Sequence, residues 1–436
     1  MKYFHYELIK LDKFMKNYIH HHSVKYSILD VAVIVSIALF SLFDFLLLLR
    51  IVLENDFLAK SIWIFYFSAL FFLSILYISH YRVPNYIYII IFTGVLGISI
   101  SFIKNASLGI LINTILSYAV ILLFYITVLR KKIHLEVLTK IILISSIIHL
   151  IGVIGSESFL KEGFDKYTIY GESSTLMGRS TGFLTSPGVL SFLAVFITVY
   201  SIVVYKLTSS KMALILFCLG LILGIYTGSR SFFVAIFSVL IIILFTLNYE
   251  KKGWLYKIYM ISKYVVFLSM IIGVGIYFYS DLIAQTLSRF DEVDLIKSVY
   301  TRVDGTSGFY PNMYALINAP IFGPLEYSDK GPYSIYNGEK ITVSNGMLSI
   351  FVSNGLILGS VYFSFYIRGF YLLWNSTRRR KENNELFVLD NALFYCYIGL
   401  TIVTITDALL GSLLMKLIIV YANTPRLRNY CKKIKW

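Results

Sequence analysis

Apolar residues run along this chain in long blocks, separated by short basic turns and by two longer polar stretches. A block of about 20 predominantly apolar residues is enough to cross a bilayer as a helix. On that rule the pattern predicts helical spans at Ile28 to Leu53, Ser61 to Ser79, Tyr86 to Ile103, Leu108 to Leu129, Val137 to Gly155 and Gly188 to Tyr205. Further spans follow at Met212 to Thr227, Ser231 to Leu247, Tyr259 to Tyr279, Gly346 to Trp374, Asn391 to Thr404 and Ala408 to Ala422. The count is about twelve, or about eleven if the last two form one bent helix. The expected fold is therefore all-α, a polytopic helical bundle forming a single membrane domain over residues 1–436.

Composition supports this reading. Of the 436 residues 58% are hydrophobic and only 14% charged, too little polar surface for a water-soluble domain. The formal charge of +15 raises the question of nucleic acid, but its placement answers it. Basic residues cluster where the chain turns on one side, at Lys2 to Lys25, Arg82, Arg130 to Lys132, Lys206 and Lys211, Lys251 to Lys257, Arg378 to Lys381 and Arg426 to Lys435. That is the bias that orients membrane proteins, with the basic side cytoplasmic, so the expected partner is the lipid bilayer and no nucleic acid is needed. Twelve spans then place both the N-terminal segment 1–27 and the basic tail 423–436 in the cytoplasm. No small-residue cleavage site stands close behind the first apolar run, so that run reads as a retained anchor. Cys218 and Cys396 fall in apolar blocks and Cys431 in the tail, which indicates no disulfide framework.

This topology leaves two sizeable outer loops, 156–187 and 281–343, the latter the large extracytoplasmic loop with four of the chain's seven prolines. It also leaves a very tight outer turn at Gly228-Ser229-Arg230. There, Ser229 is placed to cap the next helix, whose positive end beside Arg230 would favour an anion, above all a phosphate. In the segment from Arg179 to Pro187, which includes Gly182, Ser186 followed by Pro187 is a helix start of the cap-then-proline type. The large loop adds Arg289 and Arg302 and returns to the membrane at Ser344-Asn345, a third expected helix start. Three such N-termini and four arginines on one side suit a diphosphate, which guanidinium groups bind bidentately. Each arginine also has an ordinary explanation, in headgroup contacts or surface pairing.

Other chemistry is weakly signalled. The chain carries no Walker loop, dinucleotide fingerprint or zinc-ligand spacing, and no cofactor is expected. Asp291, Glu292 and Asp294 read as a solvated face, so no metal site is expected. Asp44, His149, Asp407 and Lys416 lie within apolar blocks and should face the bundle interior or a wet cavity, with structural hydrogen bonding the commoner role. Tyr310 and other loop tyrosines suit stacking on sugar faces or anchoring at the membrane surface.

In this order, the Arg179-to-Pro187 segment, the Thr227-Gly228-Ser229-Arg230 turn, the pair Arg289 and Arg302, the Pro320-to-Gly323 run and the stretch Asn354-Gly355-Leu356 to Gly359 resemble the Wzy-type O-antigen polymerases and the related O-antigen ligases. The resemblance covers most of the chain from Gly178 to Gly359. Ligases typically carry a His-Asn pair where the large loop re-enters the membrane; Ser344-Asn345 stands here, which favours polymerase. The resemblance implies a metal-independent glycosyltransferase of lipopolysaccharide biosynthesis at the periplasmic face of the bacterial inner membrane. Its donor and acceptor would be undecaprenyl-diphosphate-linked oligosaccharides, and a flippase and a chain-length regulator would be its partners. Arg179 and Arg230 would hold the donor diphosphate and Arg289 and Arg302 would position the second glycan, with Gly182, Ser229, Ser344, Asn345 and Tyr310 as substrate contacts. The acceptor hydroxyl needs a general base, for which Glu157, Asp281, Asp291 and His149 are the candidates. The competing readings are the ligase or another lipid-linked glycan polymerase and, from a different class, a lipid-linked oligosaccharide flippase, which should show broken helices and matching halves.

Overall fold

A computed structural model of the chain describes residues 28–80, 108–129, 134–156, 158–167, 180–246, 309–322, 326–328, 331–336, 339–341, 346–378, 385–406 and 412–424, with a few helical positions between 92 and 103. The helices run in the order α1 (Ile28–Leu42), α2 (Phe45–Leu53), α3 (Asp56–His80), α4 (Leu108–Leu129), α5 (Leu135–Ser156), α6 (Lys161–Tyr167) and α7 (Pro187–Thr208). After these come α8 (Lys211–Tyr226), α9 (Arg230–Thr246), α10 (Phe309–Ile317), α11 (Gly346–Arg378), α12 (Glu385–Thr406) and α13 (Leu413–Asn423). Between α10 and α11 lies a small antiparallel meander of β1 (Glu326–Ser328), β2 (Gly331–Tyr336) and β3 (Glu339–Ile341), in the order β1-β2-β3. Its register pairs Tyr327 with Pro332 and Ile335 with Lys340. The fold is helical, with this sheet confined to the large polar stretch.

Among the described residues five helices are long and apolar enough to cross a bilayer: Asp56–Leu76, Leu135–Ser156, Pro187–Thr208, Asn354–Arg378 and Glu385–Thr404. The α1–α2 pair makes a sixth if it is counted as one broken span. Segments of α4, α8, α9 and α13 have the same apolar character over shorter lengths. The expected spans at 86–103 and 259–279 fall outside the described residues, apart from isolated helical positions in the first. The last two expected spans are separate helices, since α13 has its own N-cap in Ser412, whose side chain accepts from the Met415 N–H.

Helix α7 is the axis of the bundle. Its sequence is apolar all round, as a helix with no solvent face must be, and it is buried along most of its length against α8, α9 and α12. The chain reverses tightly from α8 into α9 because Gly224 carries no side chain: a Cβ there would lie 2.0 Å from the Phe232 ring. Small residues at such crossings allow the close approach that drives helix association in lipid. By contrast α3 is peripheral, and its Phe57, Phe65 and Phe72 are exposed, as a lipid-facing surface requires.

Two polar links, one half-buried and one buried, close the end of the bundle where α12 begins. The Glu385 carboxylate accepts from the Leu135 N–H and stands 3.4 Å from His134 Nδ1, so the first turn of α12 caps the first turn of α5. Asp390 accepts from Ser376 on α11 and, at 3.0 Å, from the Tyr421 hydroxyl on α13. The opposite end carries the N-termini of α2, α7, α9 and α13.

One expectation is corrected here. The block from Ile28 to Leu53 is not one straight span: it breaks at Phe43-Asp44 and bends by 86°. Asp44 is extended, with φ −82° and ψ 94°, and its Oδ1 accepts from the Leu47 N–H at 3.1 Å, which starts α2 as a new helix. Its own N–H leaves the α1 ladder and donates to the Phe183 carbonyl at 3.2 Å.

Candidate functional site

The tight turn after α8 is built from its own hydroxyls. Thr227 Oγ1 donates to the Gly224 carbonyl at 2.6 Å and accepts from the Ser229 N–H at 3.2 Å, while Gly228 takes the left-handed conformation that reverses the chain. The buried Ser229 hydroxyl pairs with that of Ser231 at 2.7 Å, so it is engaged in the hydroxyl cluster of the turn as well as standing at the expected cap position. Arg230 follows as the first residue of α9, half-buried at its N-terminus. The Ser180 N–H donates to the Tyr226 carbonyl at 2.9 Å. The structure thus joins the segment that follows Arg179 to the turn that carries Arg230.

From Ser180 the chain enters the bundle instead of staying on its surface. Thr181, Gly182, Phe183 and Leu184 are all buried. Gly182 has φ +52°, and a Cβ there would stand 3.0 Å from His149 Nδ1, so both the backbone angle and the space call for glycine. The Phe183 N–H donates to that same Nδ1 at 3.3 Å. With Nδ1 an acceptor the imidazole is neutral, and Nε2–H donates to the Leu42 carbonyl at 2.8 Å. The ring is fully buried and stacks on Phe43 with centroids 4.6 Å apart. His149 therefore satisfies two backbone groups freed by the α1–α2 break and the 180–186 segment. Both its nitrogens are occupied, which is the structural role and not that of a poised base. Ser186 then caps α7, accepting from the Val189 N–H at 3.3 Å with Pro187 at the first helical position, as its sequence predicts.

A cavity of about 250 Å³ opens beside this junction, lined among others by Asp44, Trp63, Ser117, Thr185 and Ser412. It lies among the N-terminal ends of α2, α7 and α13, each capped by a side chain, Asp44, Ser186 and Ser412 in turn.

A second junction joins two further segments. Helix α11 breaks at Gly355, where φ 80° and ψ 170° belong to a region that is essentially glycine's alone. The N–H groups this break frees, on Leu356 and Ile357, donate to the carbonyls of Pro320 at 2.9 Å and Ile321 at 3.1 Å. Ala315 on α10 packs against Val352 and Leu348 of α11 beside this pairing. Tyr310, at the start of α10, is exposed.

Of the residues marked by the sequence, the structure describes His149, Gly182, Ser229, Arg230 and Tyr310, together with Asp44 and Lys416. It brings His149, Gly182 and Ser229 into one bonded run from the α8–α9 turn through Ser180 to the α1–α2 break, with Arg230 directly after Ser229. Tyr310 belongs to the second junction. Arg179, Arg289, Arg302, Glu157, Asp281, Asp291, Ser344, Asn345 and Asp407 lie outside the described residues. Asp44 is the helix start that the sequence pattern conceals: an aspartate within an apolar run can cap the N–H three residues on, but the length of the run hides the break.

No protein-family model and no curated protein matches the chain. Its class rests on the fold: a helical integral membrane protein, with broken helices whose freed backbone groups are satisfied within the protein.

Proposed function

We propose that this chain is an O-antigen polymerase of the Wzy type, which moves a growing glycan from undecaprenyl diphosphate onto the terminal sugar hydroxyl of an incoming lipid-linked repeat unit. The observation that carries the reading is the pairing of segments remote in sequence. Ser180 bonds to Tyr226, and Leu356 and Ile357 bond to Pro320 and Ile321. These are the segments on which the family resemblance rests, and they meet in pairs.

In this reading the chain has about twelve spans, cytoplasmic termini and a periplasmic active face in the inner membrane. Arg179 and Arg230 bind the donor diphosphate, while Arg289 and Arg302 position the second glycan. The acceptor oxygen forms a bond to the donor's anomeric carbon as the carbon–oxygen bond to diphosphate breaks. The diphosphate leaves with the electron pair, the hydroxyl proton passes to a base, and guanidinium groups stabilise the charge developing on the leaving group. With His149 occupied, the base is sought among Glu157, Asp281 and Asp291.

A flippase gains one point from the structure, because the breaks at Asp44 and Gly355 are of the kind transporters use. Deleting the gene from its host and resolving the surface lipopolysaccharide on a gel separates the readings. Single repeat units on the lipid core, with the ladder lost, support polymerase. Bare core with lipid-linked polymer accumulating supports ligase, and bare core with substrate trapped inside supports the flippase. An unchanged ladder overturns the assignment.

A further inference from the structure

The cavity at the α1–α2 break is absorbed by none of these roles. Its ≈ 250 Å³ is room for about eight water molecules at about 30 Å³ each, and its lining is mixed, so it is no dry packing defect. Helix α1 ends early to make it. The break sets the Asp44 carboxylate on the cavity wall, in a place where an ionisable group is costly and marks a functional site.

The lining selects the ligand by chemistry. Among the described residues no Lys, Arg or His side chain lines the cavity, and Arg50, on the helix that Asp44 caps, is held at 2.7 Å by Asp56, so an anion finds no guanidinium or ammonium partner in this lining. Asp44 is the one acidic residue among the described lining residues, and a hard divalent cation asks for six or more oxygen ligands centred on carboxylates. What remains is an uncharged molecule bearing hydroxyl groups. The Asp44 carboxyl group has more hydrogen-bonding positions than its bond to the Leu47 N–H uses. Ser117, Thr185 and Ser412 add hydroxyls that donate or accept, and Trp63 and Phe45 add aromatic surface. A few placed polar groups on an aromatic wall is the make-up of a small-molecule site.

We propose that this cavity binds a neutral sugar residue, with the Asp44 carboxylate accepting from its hydroxyls and the Trp63 side packing against its apolar ring face. This rests on the proposed function in taking that residue to be part of the lipid-linked glycan, but binding itself is tested without turnover. Thr185 is exposed, lines the cavity and caps no helix, which suits it as a reporter.

The test uses the full chain in lipid nanodiscs, with Cys218, Cys396 and Cys431 replaced by serine and Thr185→Cys introduced. The rate of labelling by a charged maleimide is followed with and without free neutral hexoses and N-acetylhexosamines at high millimolar concentration. At least one neutral sugar is expected to slow labelling severalfold. Uronic acids and inorganic diphosphate, which find no cationic side chain among the described lining residues, are expected not to. Asp44→Asn keeps a good helix cap while replacing a carboxyl oxygen with an amide group, so it should abolish protection in a protein that still folds; Trp63→Leu should weaken it. Labelling indifferent to every neutral sugar overturns the proposal, as does equal protection by diphosphate or protection that survives both variants. Protection with an unchanged lipopolysaccharide ladder in the deletion strain would keep the sugar site and remove the polymerase reading; a lost ladder without protection would do the reverse.

Discussion

The Phe183 N–H donates to Nδ1 of His149 across 3.3 Å, joining residues 34 positions apart in the interior of the bundle. The other ring nitrogen serves the Leu42 carbonyl at 2.8 Å. One imidazole thus closes the backbone of two broken segments at once. His149→Ala leaves a buried donor and a buried acceptor without partners, each worth about 1–3 kcal/mol. The purified variant should unfold at a clearly lower temperature in detergent. An unchanged midpoint would show that the ring is not structural.

Gly182→Ala should be harmful out of proportion to its size. The methyl group meets His149 Nδ1 at 3.0 Å, and the left-handed backbone costs a non-glycine residue about 1–2 kcal/mol. Lower thermal stability together with a shortened lipopolysaccharide ladder is the expected pair of outcomes. Wild-type values for both would refute the account of the 180–186 segment.

Arg230→Ala should abolish the ladder while leaving the amount of membrane-inserted protein unchanged, because Arg230 is only half-buried and opens its helix. Arg230→Lys keeps a charge but loses the bidentate fork, so partial, shorter polymer is expected. If Arg179→Ala and Arg230→Ala combined leave chain length and yield intact, the diphosphate assignment fails.

Gly355→Ala tests the second junction. An L-residue at φ 80° and ψ 170° is strained by about 1–3 kcal/mol, and the strain is relieved by straightening α11, which pulls Leu356 and Ile357 away from Pro320 and Ile321. Cysteines placed at Ile321 and Ile357 should cross-link readily in the parent and poorly in the Gly355→Ala variant. Equal cross-linking would mean that the break does not depend on glycine.

The sequence made legible what is written locally. Ser186-Pro187 announces the start of α7, the hydrophobic blocks announce the spans, and Gly228-Ser229-Arg230 announces a reversal. The break at Asp44 was hidden because Ile28 to Leu53 stays apolar on both sides of it, and composition over a window cannot see where one helix hands over to another. What holds the break open comes from Phe183 and His149, residues more than a hundred positions downstream. The same is true of Gly355, whose freed N–H groups find carbonyls at Pro320 and Ile321. A cavity walled by Asp44, Trp63, Ser117, Thr185 and Ser412 draws on five separate segments, and no motif links them.

The clamping of residues 180–186 also fixes how the chain enters α7. The polypeptide ahead of Ser180 reaches α7 through a gate fastened to the α8–α9 turn on one side and to the α1–α2 break on the other. Whatever is grafted upstream of that gate, longer, shorter or of foreign composition, hands the chain on at the same point and in the same direction. The start of α7 and its direction through the bundle are then set by bonds to the α8–α9 turn and the α1–α2 break, both remote in sequence from Ser180.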